Sequence, residues 1–331
     1  MRTNLIICLI IALSLVLCPV TALGEHGSGK ETPKQTVSEA TQAKTVKAEK
    51  YISVMSASTG NTEKVKLREY VIGSVAAEMS PLCHTQALMA QAVASYTYAI
   101  KIKEQNEKRE NKAYGGADIT DSPDIHQGYI NEKQRKEKWN DNFEAYEKKI
   151  EDAVDSVLGS YITYNGETAL AVYHSVSAGK TQSAETLWGE KIPYLISVES
   201  PGDKLAPDYI STKKLDADEF SALAKKCGVK LKGESKDWVG ELTKDESGYV
   251  ISVRLGSQEV SAAKFREEFE LRSLSFDIEK DAESFVITCR GYGHGAGMSQ
   301  YGADYMARQG SSWREILKHY YPGTEISTVA E

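Results

Sequence analysis

Glu78 has the sequence neighbourhood of a general acid. It stands near the end of a predicted helix, "LREYVIGSVAAEM" (67–79), where the helix dipole disfavours a negative charge. Its neighbours Ala76, Ala77 and Met79 are apolar and would exclude water from the carboxyl group. Both effects raise the pKa of Glu78, and a carboxyl that is protonated near neutral pH can protonate a glycosidic oxygen. On position alone, the alternative is a solvated glutamate at a helix end.

A second candidate segment, "GYGHGAGMSQYGADYMARQG" (291–310), places glycines between a predicted strand and a predicted helix. Such an arrangement can bind phosphate through backbone amides. The segment lacks the Lys and Ser/Thr that follow the last glycine of a P-loop, and it does not open the strand–helix–strand unit of a dinucleotide-binding domain. The spacing therefore excludes a phosphate cradle, and the glycines must serve another purpose.

The composition narrows the class of protein. The chain has 331 residues, enough for a sizeable core, and a net charge of −7, which argues against nucleic acid as a partner. Beyond the N-terminal segment it contains Cys83, Cys227 and Cys289. Three cysteines allow one disulfide at most, so the fold must be held by its core rather than by cross-links.

The first residues predict export from the cytoplasm. An uncharged apolar run at residues 5–23 fits either a membrane segment or a long signal sequence. We interpret residues 1–23 as a membrane anchor, and cleavage beside Ala22 is the alternative. Residues 24–48 are polar, contain no Phe, Trp or Tyr, and predict a flexible linker. The remaining residues, 49–331, form the predicted extracytoplasmic domain.

Hydrophobic periodicity after residue 48 predicts an α+β fold, with helices packed against a mainly antiparallel sheet region. A strand at 51–57 precedes the helix 67–79, which Pro81 ends, and a helix at 84–102 completes a helical hairpin. The charged residues 103–138 are predicted to form a loop. The further predicted elements are, in order, helix 139–157, a β-hairpin turning at Asn165-Gly166, strand 194–199, helix 216–227, strand 249–255, helix 262–270, strands 275–278 and 284–289, and helix 311–321.

Five segments resemble the stage II sporulation protein D family, and they occur in the family's order: "LREYVIGSVAAEM", "ALMAQAVASYTYA", "YHSVSAGKTQSAETLWGEKIPYLISVES", "FREEFELRS" and "GYGHGAGMSQYGADYMARQGSSWREILKHYYPGTEI". The resemblance covers about residues 50–328. It implies a membrane-anchored lytic transglycosylase that cleaves the MurNAc–GlcNAc bond of peptidoglycan glycan strands during septal thinning and engulfment in sporulation. The family's catalytic glutamate corresponds to Glu78, and no cofactor is implied.

The resemblance also implies a glycan groove at the glycine-rich segment. A neutral or weakly acidic sugar needs close approach to backbone amides, which Gly295 and Gly297 would allow. The predicted side-chain contacts to hydroxyl and N-acetyl groups are His294, Ser299, Gln300 and Tyr301. The alternative is that the glycines only permit tight packing and that His294 is a core histidine.

Two further positions are predicted near the substrate on the same grounds. The family tends to hold a basic residue in the segment of Lys180, where a cation would bind the lactyl carboxylate of muramic acid. A solvated hairpin lysine is the alternative. Tyr96 replaces an arginine that most relatives carry near the active site.

No metal is predicted. Some relatives bind zinc through two cysteines and a histidine in a loop where this chain has Ile119, Ile125 and His126, and one imidazole cannot form a structural zinc site. The implied partners are glycan strands stripped of stem peptides, a sporulation amidase or endopeptidase, and a membrane scaffold. A non-catalytic glycan-binding module that enhances a partner amidase is the alternative function. The sequence leaves the oligomeric state open.

Overall fold

The computed structural model describes residues 50–109, 113–281 and 284–329. The helices are α1 (Leu67–Glu78), α2 (Thr85–Arg109), α3 (Glu132–Trp139), α4 (Phe143–Asp155), α5 (Ala184–Trp188), α6 (Ala217–Lys226), α7 (Ala262–Glu268), α8 (Gln300–Arg308) and α9 (Trp313–Tyr320). The strands are β1 (Tyr51–Met55), β2 (Thr62–Lys66), β3 (Ile119–Thr120), β4 (Ser160–Tyr164), β5 (Glu167–Thr168), β6 (Tyr173–His174), β7 (Ile210–Asp216), β8 (Val239–Lys244), β9 (Val250–Leu255), β10 (Gln258–Ser261), β11 (Phe276–Lys280), β12 (Ser284–Arg290), β13 (Met298–Ser299) and β14 (Glu325–Thr328).

The strands form small sheets in the orders β2-β1-β3, β14-β4-β5, β13-β6, β11-β12-β7 and β10-β9-β8. The β1–β3 and β6–β13 pairs are parallel, and the other pairs in the described residues are antiparallel. Helices combined with mainly antiparallel sheets confirm the predicted α+β class. The strands are divided among several small sheets, however, rather than gathered in one sheet region.

The predicted helical hairpin forms the centre of the first lobe, which comprises the described residues outside 210–290. α1 is buried on nearly all its faces, and α2 packs against α1, α4, α8 and α9. Small side chains on α2, such as Ala90 and Ala94, are fully buried and let these helices approach closely. Met79 follows α1 in an extended conformation, because Ser80-Pro81 cannot continue a helix. The end of α1 is therefore fixed at Glu78.

A second lobe comprises residues 210–290 and has its own hydrophobic core. It contains β7 to β12 with α6 and α7, and aromatic rings fill its centre, with Phe220 stacked on Phe285 at 3.9 Å and Phe265 on Phe269 at 3.9 Å. Its first residue, Ile210, pairs with its last, Arg290, in the β7–β12 register. The chain therefore leaves the first lobe and returns to it at the same place.

The glycine-rich segment leads from the second lobe back into the first. After β12 it runs beside β6, with which β13 pairs, and α8 then begins. Ser299 caps α8 by accepting the N–H of Gly302 at 3.2 Å. This turn from β13 into α8 determines where Gln300 lies.

Several sequence predictions are confirmed and two are wrong. The hairpin turn is confirmed, with Asn165 at φ 51° and Gly166 at φ 81°. The predicted loop 103–138 is wrong at both ends, because α2 continues to Arg109 and α3 begins at Glu132. The predicted strand 194–199 is also wrong, since that segment makes only isolated backbone contacts, such as the N–H of Thr181 to the carbonyl of Val198 at 2.8 Å.

The predicted anchor (1–23) and linker (24–48) lie outside the described residues. Within the described ranges, no helix combines the length and the apolar character needed to cross a membrane.

Candidate active site

The carboxyl group of Glu78 lies where three distant segments of the chain meet. Glu78 is the last residue of α1 and is half-buried. Its Oε1 accepts a hydrogen bond from the backbone N–H of Gly128 at 2.6 Å, and its Oε2 accepts one from Nε2 of Gln300 at 3.3 Å. The end of α1, the loop before α3 and the start of α8 are thus joined at one carboxyl.

Gly128 makes this contact possible because it has no side chain. A Cβ atom at this position would lie 3.0 Å from Oε1 of Glu78 and 3.1 Å from Cβ of Ala77. A larger residue would therefore have to displace the carboxyl or the loop. Sequence reasoning missed Gly128, since the surrounding "HQGYI" has no periodicity that places it beside α1.

The pKa of Glu78 is raised above its usual value. Burial is the largest cause, and it outweighs three opposing effects, which are the hydrogen bonds from Gly128 and Gln300 and the positive charge of Lys138. Lys138 lies on α3 and its Nζ donates to the carbonyl of Ala76 at 2.8 Å, near the carboxyl end of α1. The environment thus favours a protonated carboxyl and still provides donors for the carboxylate form, as an acid that later acts as a base requires.

A small open cleft exposes Glu78 to solvent. Its lining residues are Glu78, Met79, Ser80, Cys83, Gln300, Tyr301 and Asp304. The second carboxyl, of Asp304, is already engaged, because Oδ1 accepts the N–H of His84 at 2.6 Å and Oδ2 pairs with Arg308 at 2.7 Å. Asp304 is ion-paired with Arg308, whereas Glu78 accepts its hydrogen bonds from neutral amides and has a raised pKa, so Glu78 is the better candidate for proton transfer in this cleft.

A buried network of amides and hydroxyls lies behind Gln300. Nε2 of Gln300 also approaches Oε1 of Gln91 at 3.5 Å, and Nε2 of Gln91 donates to the hydroxyl of Ser95 at 3.0 Å. The hydroxyl of Tyr173 lies 3.3 Å from that of Ser95 and donates to Oε1 of Gln127 at 2.6 Å. The sequence signal for this network is the presence of polar Gln91 and Ser95 on a buried, alanine-rich helix.

Comparison with known proteins now identifies the family. The model of the stage II sporulation protein family matches residues 55–164, a range that includes Glu78 and Gly128. The chain is 37% identical over 329 residues to stage II sporulation protein D of Bacillus subtilis (strain 168), covering 97% of this chain and 94% of that protein. The chain belongs to the stage II sporulation protein D family.

Two other relatives are similar to this chain at lower identity and coverage. Stage II sporulation protein D of Bacillus amyloliquefaciens is 36% identical, over 83% of this chain and 78% of its own length. The amidase enhancer of Bacillus subtilis (strain 168) is 26% identical, over 77% of this chain and 40% of its own length. The chain is thus similar, at lower identity, to a protein whose name describes an effect on an amidase.

In this member of the stage II sporulation protein D family, the glycine-rich segment is packed inside the molecule. The N–H groups of residues 291, 292 and 293 donate to backbone carbonyls at 2.8, 2.7 and 3.0 Å. A Cβ at Gly297 would lie 2.0 Å from the carbonyl oxygen of Val172, and one at Gly295 would lie 3.0 Å from the ring of Tyr249. The structure therefore shows Gly295 and Gly297 in close packing, and their lining of a glycan groove stays a prediction.

His294 and Ser299 are also buried, and their predicted contacts to glycan stay predictions. The backbone N–H of Ala296 donates to Nδ1 of His294 at 3.1 Å, so Nε2 carries the proton and donates to the carbonyl of Tyr173 at 2.9 Å. Burial lowers the pKa of His294 to about 3, which keeps the ring neutral. His294 is thus a core histidine, and Ser299 is the N-cap of α8.

The structure brings two of the other predicted residues to the cleft, Gln300 and Tyr301. Tyr301 donates its hydroxyl to the carbonyl of Leu205 at 3.0 Å. Lys180 does not line the cleft, and its Nζ lies 3.5 Å from Oε1 of Glu199. Tyr96 is 5% exposed, lies in the hydrophobic core of the first lobe and does not line the cleft, so its contact with substrate stays a prediction.

The residues at the positions of the family's zinc ligands have other neighbours in this chain. Ile119 lies in β3 and is fully buried, and Nδ1 of His126 accepts the N–H of Thr120 at 3.1 Å. In the described part of the chain, no three side chains of His, Cys, Asp or Glu come together in a way that could hold a metal ion. The absence of a metal remains a prediction that metal analysis must test.

Proposed function

We propose that the protein is a lytic transglycosylase, which cleaves the MurNAc–GlcNAc bond of peptidoglycan glycan strands and leaves 1,6-anhydroMurNAc ends. The observation that supports this function is the carboxyl of Glu78, which is half-buried in an open cleft and has a raised pKa. It also receives hydrogen bonds on both oxygens, from Gly128 and Gln300. Membership of the stage II sporulation protein D family adds the sporulation context.

In the proposed reaction one carboxyl acts twice. Protonated Glu78 donates its proton to the glycosidic oxygen, and the bond between that oxygen and C1 of MurNAc breaks. The Glu78 carboxylate then removes the proton from the C6 hydroxyl of the same sugar, whose oxygen forms a bond to C1. Glu78 ends the cycle protonated. Between the two steps, the N–H of Gly128 and the amide of Gln300 stabilise the carboxylate.

The engagement of Asp304 favours this reaction over ordinary hydrolysis. A hydrolytic glycosidase needs a second carboxylate as a nucleophile or to activate water. Asp304 lines the cleft, but a backbone N–H and the Arg308 guanidinium bind its two oxygens. The C6 hydroxyl of the substrate makes such a second carboxylate unnecessary.

A comparison of Glu78→Gln with Asp304→Asn on purified glycan strands in H₂¹⁸O tests the mechanism. Glu78→Gln keeps its shape but cannot transfer a proton, so cleavage should fall by roughly two orders of magnitude or more. Asp304→Asn should still give anhydro ends without ¹⁸O. Mass spectrometry of the products decides the outcome. Reducing ends carrying ¹⁸O would indicate hydrolysis, and undiminished anhydro ends from folded Glu78→Gln would refute the proposed role of Glu78.

The second candidate is a glycan-binding module that enhances a partner amidase, and the similarity to the amidase enhancer favours it. In that case Glu78→Gln would bind glycan and stimulate the amidase as well as the parent protein does, and neither protein would produce anhydro ends.

We further propose that residues 1–23 anchor the domain to the membrane at the sporulation septum, where an amidase supplies strands stripped of stem peptides.

A further inference from the structure

Asp203 is a fully buried carboxyl that lies in the first lobe, outside the cleft. Its Oδ2 accepts hydrogen bonds from both the backbone N–H of Ser177, at 2.9 Å, and the hydroxyl of Ser177. Its Oδ1 accepts the hydroxyl of Ser299 at 2.8 Å, and the hydroxyl of Ser200 is a further donor. Every donor to Asp203 in the described part of the chain is thus a serine group, and burial raises its pKa to about 6.

The bond to Ser299 connects Asp203 to the active site. Because the Ser299 hydroxyl donates to Asp203, its lone pairs face the N–H of Gly302, which it caps at 3.2 Å. Gly302 is held closely, since a Cβ there would lie 2.0 Å from the hydroxyl oxygen of Tyr320 and 3.1 Å from Oδ1 of Asp203. The next residue after Ser299 is Gln300, which donates to Glu78.

We propose that Asp203 is a positioning residue of the active site, which holds the start of α8 so that the amide of Gln300 faces Glu78. The proposal rests on the function proposed for Glu78, but it is argued from other contacts, namely those of Asp203 with Ser177 and Ser299. A buried carboxylate without a paired cation is costly in a protein interior. We attribute this buried carboxylate to its positioning role, because it fixes the start of α8, whose first residue, Gln300, donates to Glu78.

Two effects of neutralising Asp203 differ in sign, which makes the proposal testable. If Asp203 acts through Gln300, its neutralisation loosens a donor to the Glu78 carboxylate, and the pKa of Glu78 rises. If Asp203 acts only as a distant negative charge, its removal lowers the pKa of Glu78. The titratable groups facing Glu78 are Lys138, Tyr70, Tyr98 and Tyr173, together with Asp304, Cys83 and Tyr301 in the cleft. Those facing Asp203 are Tyr209, Tyr249 and Tyr320.

The experiment titrates the Glu78 side-chain carboxyl by ¹³C NMR in the parent protein, Asp203→Asn, Gln300→Leu and the double variant. Asn has one acceptor oxygen in place of two, so Ser177 or Ser299 loses its acceptor. We expect the pKa of Glu78 to rise by about one pH unit in each single variant, the worth of one hydrogen bond to a charged group. The double variant should show no further rise, because both changes remove the same contact.

Two further variants complete the test. Ser273→Ala removes a buried hydroxyl of the second lobe, which donates to the carbonyl of Arg290 at 2.7 Å, and it should leave the Glu78 titration unchanged. If Asp203→Asn does not fold, Ser299→Ala removes the same link with the loss of one helix cap, and it should raise the pKa of Glu78. An unchanged or lowered pKa in folded Asp203→Asn or Ser299→Ala would overturn the proposal.

The titration uses the free protein, so its outcome does not depend on cleavage. If folded Glu78→Gln still formed anhydro ends, the proposed function would fail, while the titration would still report whether Asp203 positions Gln300. Conversely, loss of cleavage in Glu78→Gln with an unmoved titration in Asp203→Asn would support the function and refute the positioning role.

Discussion

At Glu78, burial and positive charge act in opposite directions on one carboxyl. Burial raises its pKa, whereas Lys138 on α3 lowers it. Lys138 is itself affected, since burial lowers its pKa and the charge of Glu78 raises it. This reciprocity makes Lys138 the residue through which the pH dependence of the proposed reaction can be adjusted without touching Glu78.

Replacing Lys138 by Met should move the alkaline limit of activity to higher pH. The proposed first step needs protonated Glu78, so kcat/KM falls as pH rises through the pKa of Glu78 in the free enzyme. Without the positive charge of Lys138 the pKa of Glu78 is higher, so its protonated form persists to higher pH. The pH profile of glycan cleavage measures the shift.

The matched control is Lys133→Met, on the same helix. Lys133 is 85% exposed and lies 3.9 Å from Glu137, so its removal should leave the profile unchanged. A Lys138→Met profile that coincided with the parent, or that moved to lower pH, would contradict the assigned influence of Lys138.

The sequence predicts Glu78 as the candidate acid but does not predict the residues that contact it. Glu78 was predicted because a helix end and apolar neighbours are local features. Gly128 and Gln91 were not predicted, because only the tertiary fold brings them towards Glu78, one directly and one through Gln300. Gly295 and Gly297 are predicted to line a groove, and the sequence does not reveal their close packing. A glycine that admits a ligand and one that permits close packing have the same sequence pattern.

At the scale of elements, the return of the chain from β12 into α8 depends on glycines. Gly297 has φ +70°, and a Cβ there would lie 2.0 Å from the carbonyl oxygen of Val172. A side chain would meet backbone rather than a flexible side chain, so the segment would have to move. We therefore expect a side chain at position 297 to lower the stability of the fold.

Gly297→Ala should destabilise the protein by more than backbone strain alone. A non-glycine residue in the left-handed region costs roughly 1–2 kcal/mol, and the steric contact with Val172 adds to it. Gly60→Ala is the control, because Gly60 has φ +73° with nothing within 4 Å of its Cβ position. Urea unfolding of both variants measures the difference, and equal losses would show that the contact with Val172 relaxes without cost.

The predicted helices and strands agree with the structure where hydrophobic periodicity is strong. They disagree in the segment around α3, where most side chains are charged and give no such periodicity. α1 and the hairpin turn at Asn165-Gly166 were placed within a residue or two. α3 was missed within a charged segment, although Asn131 and Gln134 form a capping box that marks its start. The segment 194–199 has the composition of a strand, but it contacts the chain near Thr181 irregularly and forms no ladder.

At the scale of the whole molecule, buried titratable groups set the response of stability to pH. Burial lowers the pKa of His126 and His174 to about 4 and that of His294 to about 3. Each is neutral when folded and gains a proton on unfolding below pH 6.5. The free energy of unfolding therefore falls as pH decreases from about 6.5 to 4, because the unfolded chain binds more protons.

The carboxyl of Asp203 has the opposite effect on how stability depends on pH. Its contribution can be isolated by comparing the parent protein with Asp203→Asn. Its pKa rises from 3.8 to about 6 on folding, so the folded protein binds this proton more tightly. Its contribution to the free energy of unfolding is therefore largest below pH 4 and declines by about 3 kcal/mol as pH rises to 6 and above. Asp203→Asn has no such proton.

Urea unfolding of the parent protein and Asp203→Asn at pH 4, 5, 6 and 7 tests this account. The histidines are common to both proteins, so their steep acid loss cancels in the difference. The deficit of the variant should be greatest at pH 4 and shrink towards pH 7, where the parent's buried carboxylate is ionised and costs it stability. A deficit independent of pH would mean that Asp203 keeps an ordinary pKa in the folded protein, with its serine hydrogen bonds fully offsetting burial.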